Sequence, residues 1–282
     1  MKVFQTKKNL KTFLSTMVSK NRTIGMVPTM GALHQGHLAL VRRAVEENNL
    51  VVVSIFVNPT QFNNKEDLNT YPKTLEEDKK LLLGLDAEIV IFAPSVSEIY
   101  PDKVTAKRYH FDGLDKTMEG TYREGHFDGV GTVVEELLTI AMPTRAYFGE
   151  KDFQQLMIIK KLVEKLKLPI HIIGCPIVRE PNGLAMSSRN QRLSNRLRKE
   201  AAFIYSTLKA AKDEFGTKSA KYVVDWVEKE FKSKPDLKLE YIKIMNVKNL
   251  KPVIRKQKGQ KYRAFVAVYA EGVRLIDNIA LN

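Results

Sequence analysis

Residues 50–57, Leu-Val-Val-Val-Ser-Ile-Phe-Val, are almost uniformly apolar and rich in β-branched side chains. A strand of this kind is buried on both faces, a situation found in parallel sheets covered by helices on either side. The segments around it fit that arrangement. Residues 23–27 form a short apolar run that Pro28 is expected to end. Across 37–48, Leu38, Leu40, Val41, Ala44 and Val45 recur at helical spacing, with Glu and Arg opposite. Leu75–Leu83 reads as a helix stopped by Gly84, and 88–92 as a buried strand closed by Pro94. Further on, 131–141 is helical, 146–148 a short strand, 152–166 an amphipathic helix and 170–174 one more strand. Serial β-α-β units imply an α/β fold with a doubly wound, Rossmann-like parallel sheet.

The pattern changes after about residue 176, in a loop holding Pro176, Pro181 and Gly183. Residues 194–215 and 219–231 read as two helices, each opened by a serine suited to N-capping. Residues 237–247, 263–270 and 273–279 alternate apolar and polar side chains, as half-exposed antiparallel strands do. The expectation is a Rossmann-like domain over 1–175 and a smaller α+β domain over 176–282. No stretch approaches the ~18 apolar residues of a membrane span. One cysteine, Cys175, excludes an internal disulfide framework and fits a reducing, cytoplasmic setting; its apolar neighbours suggest a buried, inert thiol. The 46 Lys and Arg against 32 Asp and Glu give a net charge of +14, scattered over many polar faces rather than gathered with aromatics. Such a surplus suits anionic partners in general and does not by itself select nucleic acid.

Four stretches carry candidate chemistry. Val27 to His37, VPTMGALHQGH, joins a strand to its helix, where ligands of open α/β sheets bind and where a helix start offers free N–H groups. His34 and His37 project to the same side and suit phosphate oxygens. A zinc pair and two histidines satisfied by local hydrogen bonds are the competing readings. The stretch is neither a Walker A loop nor a GxGxxG fingerprint. Tyr147 to Gln155, YFGEKDFQQ, is a second strand-to-helix turn: Lys151 suits polyphosphate charge and Asp152 suits a helix cap, although an ordinary capped helix would look the same. Met186-Ser187-Ser188-Arg189, in a loop with Gly183, has the donors of an anion clamp and is weak evidence alone. Gln61, in NPTQF at the end of the most apolar strand, stands where a sheet-end ligand would sit, or merely in a turn.

Together these motifs resemble the pantoate–beta-alanine ligase family of the HxGH nucleotidyltransferase-like superfamily. The resemblance runs nearly end to end, through PTMGALHQGHL, FVNPTQF, YPKT, EGTYREGHFDGV, YFGEKDFQQL, REPNGLAMSSRNQRLS and LIDN. It implies an ATP-dependent ligase that joins pantoate to β-alanine through pantoyl adenylate, releasing pyrophosphate and AMP. Another HxGH nucleotidyltransferase, or an adenylating enzyme like the class I aminoacyl-tRNA synthetases, is the alternative; a tail of about 105 residues leaves little room for an RNA-reading domain. Carried over by residue, the resemblance assigns Met30, Gly31, Ala32, Leu33, His34, Gln35, Gly36 and His37 to ATP. It adds Gly149, Glu150, Lys151, Asp152, Val178, Met186, Ser187, Ser188 and Arg189. His37, His34, Lys151 and Arg189 would be catalytic. Gln61, Gln155 and Met30 would meet pantoate, and Gln61 also β-alanine. Mg2+ would arrive with ATP, with no protein ligand identified. The smaller domain would form a lid over ATP, and the protein would be a cytoplasmic homodimer engaging neither nucleic acid nor membrane. Two positions depart from the family pattern: Glu124, where Pro is usual, and Asn63-Asn64, where a Gly often follows Phe62.

Overall fold

A computed structural model describes residues 1–282 and divides them into two compact units. The first comprises Met1–Glu150 and Gln154–Pro176; the second comprises Lys151–Phe153 and Ile177–Asn282. The segment 151–153, expected inside the first domain, therefore groups with the second.

The first unit runs β1 (Lys2–Phe4), α1 (Lys7–Val18), β2 (Ile24–Thr29), α2 (Gln35–Glu47), β3 (Leu50–Ile55), α3 (Lys65–Asn69), α4 (Leu75–Leu83), β4 (Ile89–Phe92), α5 (Val96–Ile99), α6 (Glu119–Tyr122), α7 (His126–Ala141), β5 (Arg145–Gly149), α8 (Phe153–Lys165, all but its first residue) and β6 (His171–Cys175). Its six strands pair in parallel in the order β1-β4-β3-β2-β5-β6. Val27, Val51, Val53, Ile89, Ile91 and Tyr147 form one face and pack with Leu38, Val41 and Ala44 of α2 and Leu82 of α4. The intervening Met26, Val52, Val90 and Phe92 point to the opposite face and are also buried. On that side α7 lies against β2 and α1. The fold is thus the doubly wound sheet that the apolar run of β3 requires.

The chain winds outward from β2 through β3 to β4, then returns to β5 on the other side of β2. Strand order reverses between β2 and β5, the point where such sheets open a crevice at their carboxyl ends. Met26 lies opposite Ala146, so Thr29 and Gly149 end their strands at the same level.

Two local expectations in this unit need correction. Pro28 does not end β2, which continues to Thr29 with Pro28 opposite Ser54. Pairing with β5 is confined to Gly25 and Met26, so the missing proline N–H breaks no ladder on that side. Helix α8 starts at Phe153, and Asp152 closes a 3-10 turn, Glu150–Asp152, that runs straight into it. The edge strand β1 and helices α1, α3, α5 and α6 carry patterns too short or too polar to stand out.

The second unit holds α9 (Asn195–Glu200), α10 (Ala202–Thr217), α11 (Ala220–Lys232), β7 (Lys238–Asn246), β8 (Tyr262–Ala270) and β9 (Val273–Ala280). Its strands form an antiparallel sheet in chain order. The single helix expected over 194–215 is interrupted at the buried Ala201. The apolar spacing Leu197, Ala201, Ile204, Leu208 runs straight across the break, which is why periodicity does not reveal it. Leu208, Ala211 and Phe215 of α10 and Val223, Val227 and Phe231 of α11 pack on Ile242, Ala264, Val266 and Val268 of the sheet. No helix of the chain is long and apolar enough to cross a membrane.

Candidate active site

The loop after β2 is built around two residues in the left-handed region, Gly31 at φ 81° and Ala32 at φ 50°. That turn leaves main-chain donors facing inward, and Asp78 of α4 takes them. Its carboxylate accepts from the N–H of Leu33 at 2.7 Å and of Ala32 at 3.1 Å. Asp78 is almost wholly buried, and burial pushes its carboxyl above the usual aspartate range against the pull of these hydrogen bonds.

His34 is the N-cap of α2 and His37 lies in its first turn. The Nδ1 of His34 accepts from the Gly36 N–H at 3.1 Å, and the Nδ1 of His37 accepts from the His34 N–H at 3.3 Å. The rings stand 4.1 Å apart, tilted by 34°. An Nδ1 that accepts leaves the ring proton on Nε2. The pair is thus fixed by local hydrogen bonds, in a tautomer whose Nε2 carries the proton. No group of three or more His, Cys, Asp or Glu side chains is placed to hold a metal ion.

At the end of β3, a 3-10 turn over Pro59–Gln61 carries Gln61. Asn58, almost entirely buried, organises it. Its Nδ2 donates to Gln61 Oε1 at 3.0 Å and to the Gly129 carbonyl at 3.1 Å. Its Oδ1 accepts from the hydroxyls of Tyr100 at 2.6 Å and Thr60 at 3.0 Å. Gln61 Nε2 lies 3.1 Å from the Met30 sulfur, so two residues expected at pantoate meet in the structure. His126 Nδ1 donates to the Gln61 carbonyl at 2.9 Å, while its Nε2 accepts from Arg123 at 3.0 Å. A Cβ on Gly129 would lie 2.3 Å from the Thr60 carbonyl oxygen; only glycine lets α7 meet this turn. The two departures from the family pattern meet here as well, because Asn63 donates to the Glu124 carbonyl.

After β5 the adjacent glutamines separate. Gln154 is buried and structural: it donates to the carbonyls of Leu114 and Thr117 and accepts from the Glu119 N–H. Gln155 remains half-buried, with Gly149 and Glu150 at the strand end beside it in sequence. The first unit thus gathers the 30–37 loop and Gly149 at the carboxyl edge of the sheet.

The second unit holds the remaining candidates. Lys151 Nζ lies 3.7 Å from Asp152 Oδ2. Val178 accepts from the Met186 N–H at 3.0 Å, closing a short hairpin whose far side leads into Ser187, Ser188 and Arg189. Ser187 caps the 3-10 turn Ser188–Arg192 by accepting from the Arg189 N–H at 3.3 Å. Asn190 ties the turn back, donating to Glu180 at 2.8 Å and the Ala185 carbonyl at 3.0 Å. Arg179, at the hairpin base, makes a two-armed pair with the buried Asp277 at 2.6 and 3.0 Å.

Sequence reasoning missed Asn58, Asp78, Arg123 and His126. Asn58, Arg123 and His126 lie inside motifs that carry the family resemblance, where an embedded polar residue was the available signal, whereas Asp78 lies outside them on an ordinary-looking helix.

The pantoate–beta-alanine ligase family model matches residues 2–280. The pantothenate synthetases of Christiangramia forsetii and Flavobacterium psychrophilum are 54% and 53% identical over 282 residues, in each case covering 100% of both chains. Among solved structures, the pantothenate synthetase of Thermus thermophilus superimposes with a TM-score of 0.91 at 40% identity, over 100% of this chain and 99% of that one. The Francisella tularensis pantoate–beta-alanine ligase, complexed with beta-gamma ATP and beta-alanine, gives a TM-score of 0.82 at 39% identity, over 100% and 98%.

Proposed function

The chain belongs to the pantoate–beta-alanine ligase family, and from that premise we propose how its residues divide the two half-reactions of an ATP-dependent ligase. In the first, a carboxylate oxygen of pantoate attacks the α-phosphorus of ATP. The bond to the bridging oxygen breaks, giving pantoyl adenylate and pyrophosphate. In the second, the amine of β-alanine attacks the acyl carbon, loses a proton and expels AMP. Family membership sets aside the alternative of another HxGH adenylating enzyme.

The observation that carries the division of roles is the histidine pair at the start of α2. Its Nδ1 atoms are spent on the backbone, which puts the ring protons on Nε2, the form that donates to phosphate oxygens. Such preset donors stabilise charge as it develops without reorganising. His37 and His34 serve the phosphates, within a loop from Met30 to His37 whose left-handed turn is held by Asp78. No proton transfer is compulsory when a carboxylate displaces pyrophosphate, so charge stabilisation is the larger part of the role of His37. Lys151, Ser187, Ser188 and Arg189 supply further donors to the phosphates. Gly149, Glu150 and Asp152 hold ribose and phosphate, and the Val178 backbone meets adenine. Gln61 and Gln155, with Met30, bind pantoate, and Gln61 also meets β-alanine. Mg2+ enters bound to ATP. We further propose a cytoplasmic homodimer, a reading supported by family membership alone and checked by sedimentation.

The test is pantoate-dependent exchange of labelled pyrophosphate into ATP without β-alanine. Exchange that requires pantoate is expected; exchange without it, or none, overturns the scheme. A Gln155→Ala variant should raise the KM for pantoate and leave ATP affinity unchanged. A fall in ATP affinity alone would remove Gln155 from the pantoate site.

A further inference from the structure

Asn278 lies in the second half of β9, opposite Phe265 of β8, and is 1% exposed. A primary amide in a strand so well covered must place both of its ends. Its Oδ1 accepts from Arg263 Nη1. Its Nδ2 donates to the main-chain oxygen of Lys151 at 2.9 Å, a bond spanning 127 residues of sequence. The segment it reaches is held a second time. The Arg263 guanidinium stacks 4.2 Å above the Phe153 ring, and that ring lies 5.9 Å from the ring of Phe265. One cross-strand set, Arg263, Phe265 and Asn278, therefore fixes Lys151–Phe153 at both ends. This accounts for those three residues grouping with the second unit while the chain on either side belongs to the first.

From this geometry we infer that Asn278 is a positioning residue for Lys151. The amide fixes the main chain from which the lysine side chain extends, and so fixes where its ammonium can reach. A flexible four-carbon stem delivers charge to a chosen point only when its base is held. Asn278 touches no reacting atom and acts through the residue it holds. The inference rests on the reading of Lys151 as a phosphate-charge group. It predicts an effect on adenylation, where charge develops on leaving pyrophosphate, and little effect on aminolysis of an adenylate already formed.

The experiment measures both half-reactions in Asn278→Ala, Asn278→Asp, Lys151→Ala and the double variant Lys151→Ala/Asn278→Ala. Asn278→Asp keeps the acceptor for Arg263 and removes the donor to Lys151. In both single Asn278 variants, the kcat of pyrophosphate exchange should fall by about 10²-fold, the scale of a group displaced by about 1 Å. The KM for pantoate should stay near the parent value. Aminolysis of supplied pantoyl adenylate by β-alanine should continue at nearly the parent rate, which also shows that the variants are folded. The double variant should be no slower than Lys151→Ala. Equal loss of both half-reactions, a multiplicative loss in the double variant, parent-like exchange in the Asn278 variants, or failure of both to fold would each overturn the inference. Parent-like exchange by Lys151→Ala would instead overturn the reading of Lys151 itself, whatever the Asn278 variants do.

Discussion

At the residue scale, chemistry here depends on side chains whose other hydrogen bonds are already committed. The Nδ1 of His37 accepts from the His34 N–H, so turning its ring breaks one of the two reciprocal bonds at the start of α2. His37→Ala should lower pyrophosphate exchange by about 10²-fold or more, the effect of losing one transition-state donor. Parent-like exchange would end its assignment. Asn58 is a sharper case, because it touches Gln61, Thr60, Tyr100 and Gly129 at once. Asn58→Ala removes the acceptor shared by the Tyr100 and Thr60 hydroxyls and the donor to the buried Gly129 carbonyl, and should cost about 1–3 kcal/mol in urea unfolding. The loosened Gln61 should also raise the KM for pantoate, whereas KM for ATP should stay near the parent value. The histidines, Gln61 and Lys151 could be singled out in sequence as candidates because each stands in a short contiguous motif at the end of an apolar strand. Asn58 and Asp78 could not, because their importance lies in partners distant in the chain: Tyr100 and Gly129 lie 42 and 71 residues from Asn58, and Leu33 and Ala32 lie 45 and 46 from Asp78.

At the element scale, the site rests on close approaches that sequence periodicity does not register. Helix α7 bears on the Gln61 turn through Gly129, where an added Cβ would meet the Thr60 carbonyl at 2.3 Å. Gly129→Ala must push the turn away, at a cost of about 1–3 kcal/mol for an overpacked contact. Pantoate KM should rise with it; unchanged stability and KM would show that the turn yields freely. The same scale explains which elements were legible. Strands β3 and β4 and helix α4 have patterns set by burial on two faces or along one stripe, and their positions follow from residue type. The continuation of β2 through Pro28 depends on where β5 stops pairing, and the break at Ala201 leaves the apolar spacing intact.

At the scale of the whole molecule, two cores share one chain, each reported by a single residue. Trp226, the only tryptophan, packs on the core of the second unit, and Cys175, the only cysteine, is buried in the first. Burial raises the Cys175 thiol pKa despite the nearby Arg43, so alkylation should be slow until the first unit opens. Asp277→Ala would leave Arg179 without its buried carboxylate and should cost about 3–5 kcal/mol. The urea midpoint followed by Trp226 fluorescence should drop accordingly, while the midpoint of Cys175 alkylation moves little. Equal shifts of both would show that the units unfold as one.

Sequence by itself determined the layered architecture, parallel α/β followed by an α+β pattern, and the family. These follow from local periodicity and from motifs that are each short and contiguous. Only the tertiary structure decided that Lys151–Phe153 groups with the second unit, that a buried aspartate shapes the histidine loop, and that an asparagine near the C-terminus holds the Lys151 main chain. Each of these is a contact between residues distant in the chain, and its free energy comes from satisfying a buried polar group, a quantity that exists only once the chain has closed around it.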